Sequence, residues 1–128
     1  MMKSHFVKAL SLIIALGFSI HTYADTRIEQ VWSCTLNEGK SIADIKALNS
    51  KWVIYANKAV KGGDIQSYVV TAVVGEMDGF IFVDSFPSME SWTAKEAAMA
   101  IGEGKELVAA FNKIGKCQSN SLYSVEES

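Results

Sequence analysis

Few residues in this chain are placed to do chemistry, and Asp84 is the one whose neighbours would make it reactive. It lies in the run Phe80–Phe86 (FIFVDSF), where a strand puts Phe80, Phe82 and Phe86 on its own face. A carboxylate among aromatic rings loses hydration, so its pKa rises toward the range that a proton-abstracting base needs. The other reading of Asp84 is a carboxylate near the strand end that faces water or holds the Pro87-Ser88 turn. Trp32, Trp52 and Trp92 offer flat apolar surface for a planar organic ligand, or fill a core. Asn49 flanks an apolar helical stripe, where its amide either meets a ligand or stands in water. Asp84 is thus the single catalytic candidate, and Trp32, Asn49, Trp52, Asp84 and Trp92 form the candidate ligand set.

Much chemistry is excluded. The two histidines, His5 and His21, fall in a leader segment, so the remaining chain has none. That removes Ser-His and Cys-His nucleophile pairs, a histidine base, and histidine-ligated zinc or haem. Glu76 and Asp78 lack the alternating acid ladder of a calcium loop, and Gly102-x-Gly104 lacks the third glycine of a dinucleotide-binding turn. No metal and no cofactor are expected. Twelve Lys/Arg against fourteen Asp/Glu, without a basic run, argue against nucleic acid as a partner. Lys51 and Lys95 read as helix-surface charges.

Residues 1–24 have the form of a secretory signal. Lys3 and Lys8 precede an uncharged run from Ala9 to Ile20, and Thr22 and Ala24 provide a small-x-small exit. Twelve apolar residues make about 18 Å of helix, too short for about 30 Å of hydrocarbon. The expectation is cleavage after Ala24, leaving residues 25–128 as one domain, periplasmic or secreted, with no membrane attachment. In an oxidising compartment Cys34 and Cys117 read as a disulfide, stabilising by about 4 kcal/mol in the chain-entropy model. Free thiols or a metal pair are the alternative.

The elements that position these residues follow from periodicity. Ile28–Leu36 alternates as a strand, with Ile28, Trp32, Cys34 and Leu36 on one side. A helix follows Ser41, whose hydroxyl caps it while Asp44 reaches back. Its stripe is Ile45, Leu48, Trp52, Tyr55, Ala56 and Ala59, and Gly62-Gly63 ends it. Ile65–Val74 and Phe80–Phe86 form a hairpin joined by Gly75–Gly79. Ser88 caps a second helix carrying Trp92, Ala98, Met99 and Ile101, which breaks at Gly102–Gly104 and resumes with Leu107, Val108, Phe111 and Ile114. Cys117–Val125 is a last, more polar strand.

The fold class is therefore α+β, ferredoxin-like βαββαβ: a four-stranded antiparallel sheet with two helices on one face. In that order strands one and four are antiparallel neighbours, which brings Cys34 and Cys117 together. The hairpin strands are apolar on both faces: Tyr68, Val70, Ala72 and Val74 against Val69, Thr71 and Val73, and the phenylalanines against Ile81 and Val83. The face without helices needs a cover, either a second copy packed across a two-fold axis or a ligand in a broad groove.

The βαββαβ order, the two-faced sheet and Phe86-Pro87-Ser88-x-x-x-Trp92 resemble the dimeric α/β-barrel superfamily. That group includes antibiotic-biosynthesis-type monooxygenases, muconolactone-isomerase-like enzymes and stress-responsive barrel domains. The resemblance spans most of residues 27–125 and implies a homodimer with a cavity for a small molecule, without implying one reaction. The reading that results is an exported domain that binds a small, largely apolar molecule or serves as a structural module. A cofactor-free monooxygenase or isomerase using Asp84, and a protein-interaction module, are the competing readings.

Overall fold

A computed structural model describes residues 26–128. The expected signal, with its expected cleavage after Ala24, lies outside the described residues. The elements are β1 (Arg27–Leu36), α1 (Ile42–Ala59), β2 (Gln66–Val70), β3 (Phe80–Phe86), α2 (Met89–Met99), α3 (Gly102–Ile114) and β4 (Gly115–Val125). The strands form one sheet in the order β2-β3-β1-β4, with each neighbouring pair antiparallel. This is the ferredoxin-like arrangement.

Local chemistry sets the helix starts. Ser41 accepts from the Asp44 amide while Asp44 accepts from the Ser41 amide, closing a capping box that satisfies two otherwise orphaned donors. Ser88 likewise accepts from the Ser91 amide, directly after Pro87 has ended β3. The second helical region breaks into α2 and α3 at Gly102, which has φ 53°. A Cβ on Gly104 would collide with the Ala98 carbonyl, so α3 folds back closely onto α2.

β1 is central, and its pairing carries the covalent cross-link. Cys34 lies opposite Cys117 in the β1–β4 register and bonds to it, with a sequence separation of 83. The inner face, under the helices, holds two core clusters. Trp52, Ala56, Val60, Ile65, Phe86 and Leu107 form one; Cys34, Ile45, Phe80 and Phe82 form the other. Phe111 packs against both.

Two expectations are corrected. The second strand stops at Val70, and Thr71–Val74 is loop, with Val73 and Val74 exposed. Its β-branched residues have high strand propensity but no partner, because the β2–β3 ladder ends at Val70 opposite Ile81. Beyond that point Gly79 adopts φ 102° against the Cys34 carbonyl, where a Cβ would collide, and the connection runs away from the ladder. Ile101 was placed on a buried stripe and is exposed, because it is the extended residue that precedes α3.

Candidate functional site

Between the two core clusters the inner face carries a polar row. The register sets Ser67 of β2 beside Asp84 of β3, and Asp84 beside Gln30 of β1. The row on one side is Val69, Phe82 and Trp32, and Phe86 and Ile28 lie on the other. Alternation along each strand aims all these side chains at the helices.

Asp84 is buried, at 6% exposure, which overturns the solvent-facing reading. Each carboxylate oxygen has a neutral donor. The Ser67 hydroxyl donates to Oδ1, and the Trp32 indole N–H donates to Oδ2 at 3.2 Å. Asn49 Nδ2 in turn donates to Ser67 Oγ at 2.9 Å. Burial pushes the Asp84 pKa up from 3.8 to about 6, against the opposing effects of Ser67, the Lys95 charge and Trp32. Desolvation outweighs the partners here because two of those partners are uncharged.

Asn49 reaches this position because α1 buries Ile45, Asn49, Trp52 and Ala56, at steps of four, three and four. The amide stands in the middle of the buried line, where apolar periodicity had favoured Leu48, which is only half-buried.

Helix α2 departs further from the pattern. The buried residues on it are Ser91 and Lys95. Lys95 is 3% exposed, which corrects its reading as a surface charge. Its ammonium is ion-paired with Glu96, donates to Gln30 Oε1 at 2.8 Å, and stands 5.3 Å from the Phe86 ring centre and 5.7 Å from that of Trp92. The Trp92 indole donates to the same Gln30 oxygen at 3.2 Å. Gln30 thus ties α2 to the sheet beside Asp84.

Against this row opens a cavity of about 470 Å³. Its walls include Trp32, Asn49, Trp52, Phe80, Phe82, Asp84, Lys95 and Phe111. Four of the five candidate ligand residues line it together. Trp92 stands outside the lining and packs against the Phe86 cluster. Sequence reasoning missed Lys95, Ser67 and Gln30. The break in apolar periodicity at Ser91 and Lys95 was the signal for the first of these; only the strand register finds the other two.

No protein-family model matches the chain, and no curated protein does. Solved structures do. SnoaB from Streptomyces nogalater, described as a cofactor-independent oxygenase, superposes with a TM-score of 0.58 at 8% identity over 80% of this chain and 96% of its own. A protein of unknown function from Bacteroides thetaiotaomicron, described as a possible oxidoreductase, gives 0.52 at 11% identity over 80% of this chain and 100% of its own. A hypothetical Arabidopsis thaliana protein gives 0.51 at 15% identity, covering 84% and 94% of the two chains. At such identities the likeness is one of fold, the ferredoxin-like arrangement of the sheet and helices.

Proposed function

We propose that the protein binds one small, largely apolar organic molecule in the cavity between the inner sheet face and the helices, with Asp84 as its polar anchor. The observation that carries this reading is a buried carboxylate opening on about 470 Å³ of space walled by Trp32, Trp52, Phe80, Phe82 and Phe111. Apolar walls with a few convergent polar groups are the usual form of a small-molecule site. The test is displacement of a neutral fluorophore such as N-phenylnaphthylamine. Phe82→Trp, which narrows the cavity with a larger ring, should weaken its binding while the fold survives. Unchanged binding in Phe82→Trp would place the ligand elsewhere.

One observation favours a second reading, turnover without a cofactor. A carboxylate with pKa about 6 is suited to take a proton near neutral pH, and SnoaB, similar in fold, is described as a cofactor-independent oxygenase. In that case Asp84→Asn removes turnover and leaves binding intact. An aromatic-walled cavity is not what a pure protein-interaction module needs.

Two further features belong to the same proposal. The outer sheet face exposes Tyr68 and Val70 beside half-buried Val31, Ile81 and Val83, and a second copy packed face to face would shelter them. Residues 1–24 direct export, and residues 25–128 are the mature domain, for which the Cys34–Cys117 bond suits an oxidising compartment. Among the described residues no helix is long and apolar enough to cross a membrane. The intact mass of natively purified protein reads cleavage, subunit number and any retained molecule together.

A further inference from the structure

The charges lining the cavity do not balance. They come from Asp84, Lys95 and Glu96, and the rest of the lining is neutral. Lys95 is already engaged by Glu96, by Gln30 and by the rings of Phe86 and Trp92. One ammonium therefore stands among two carboxylates, and ionised Asp84 keeps a negative charge without a dedicated counterion. Its direct partners, Ser67 and Trp32, are neutral donors. The cavity on which it opens is walled by Trp32, Trp52, Phe80 and Phe82, aromatic rings whose faces are electron-rich.

We propose that the ligand is a small organic monocation, an ammonium on an apolar body, seated with its charge against Asp84 and among the aromatic rings. This rests on the ligand-binding reading above and adds to it the sign of the ligand's charge. An anion would meet Asp84 as a like charge in a desolvated site, and a neutral molecule would leave the buried carboxylate with only the Lys95 charge, which Glu96 already shares. A cation supplies the missing charge and gains from the ring faces as well. The raised pKa of Asp84 agrees with this account: its present partners do not offset burial. A bound cation holds the carboxylate ionised, so below pH about 6 binding must expel a proton and weakens. The groups that face Asp84 are Trp32 and Gln30 from β1, Ser67 from β2, Asn49 from α1, and Lys95 with Glu96 from α2; α3 contributes Val108, Phe111 and Asn112, none of which titrates.

Three probes with one ring system and different charge test the proposal: naphthylmethylamine, methylnaphthalene and naphthoate, followed by tryptophan fluorescence. At pH ~7.5 the amine should bind at least ~10-fold tighter than methylnaphthalene, and naphthoate weakest of all. Asp84→Asn should bind amine and hydrocarbon alike. Lowering the pH through about 6 should erase the wild-type preference, a readout that stands even where the variant folds poorly. An amine that binds no tighter than the hydrocarbon, a preference for naphthoate, or a preference unchanged from pH ~5 to ~7.5 overturns the charge assignment. Binding of the hydrocarbon alone leaves the cavity reading standing. Failure of all three probes overturns both.

Discussion

Each face of this sheet departs from the usual plan at particular positions, the inner one within an otherwise apolar core. The face beneath the helices, where water is excluded, carries Ser67, Asp84 and Gln30 and receives Lys95 from above. The open face carries Tyr68, Val70, Val31, Ile81 and Val83. A sheet that only needed to fold would place these the other way round, with polar groups in water and apolar ones in the core. Burying Asp84 costs desolvation energy that its hydrogen bonds and the Lys95 charge offset only in part. The inner face thus gives up some stability to hold a polar row against a cavity. The outer face leaves Tyr68 and Val70 exposed.

The largest expected effect sharpens this contrast. Phe86 is fully buried next to the polar row, so Phe86→Ala should cost about 3–5 kcal/mol in urea denaturation. Tyr68→Ala, on the open face, should change the stability of the isolated chain by less than about 0.5 kcal/mol. Comparable losses at the two sites would break the comparison.

Next in size is the pH dependence of stability. The folded pKa of Asp84, about 6, lies above its ordinary 3.8, so the folded state holds an extra proton between these values. Its contribution is fully present below pH about 4 and is lost as the pH rises to about 6, a fall of about 3 kcal/mol. Asp84→Asn should flatten that slope in denaturation curves measured from pH ~4 to ~7. A wild-type curve that rises across this interval would contradict the burial account.

Smaller still is the effect of Val70→Asp, which sets a charge on the open face. Sedimentation should show self-association weakened by at least ~10-fold, or about 1.4 kcal/mol, with the circular dichroism spectrum unchanged. A variant that associates as the parent does would mean that this face is not the contact. The smallest effect belongs to Ser67→Ala. It removes one donor from Asp84, so the carboxyl pKa should climb further in an NMR titration, at a stability cost of about 1 kcal/mol.

Much of the scaffold was legible because its signals are local. The Ser41–Asp44 box, the Pro87-Ser88 stop and start, and the break at Gly102–Gly104 each act within a few residues, and all three are present. The Cys34–Cys117 bond was legible at one remove, since strand order alone makes the two cysteines neighbours. Strand propensity misled at Thr71–Val74, where no partner strand exists to complete a ladder.

By itself the sequence determined the order of the elements, the cross-link, and which aromatic and carboxylate groups were available. Those properties depend on capping, periodicity and turn chemistry between near neighbours in the chain. Only the tertiary structure decided that Asp84 is buried, that Ser67 and Gln30 flank it, and that Lys95 points inward. Burial and desolvation depend on what three separate strands and two helices bring to one point. A one-dimensional pattern records which side of its own element a residue occupies, but not what stands opposite it.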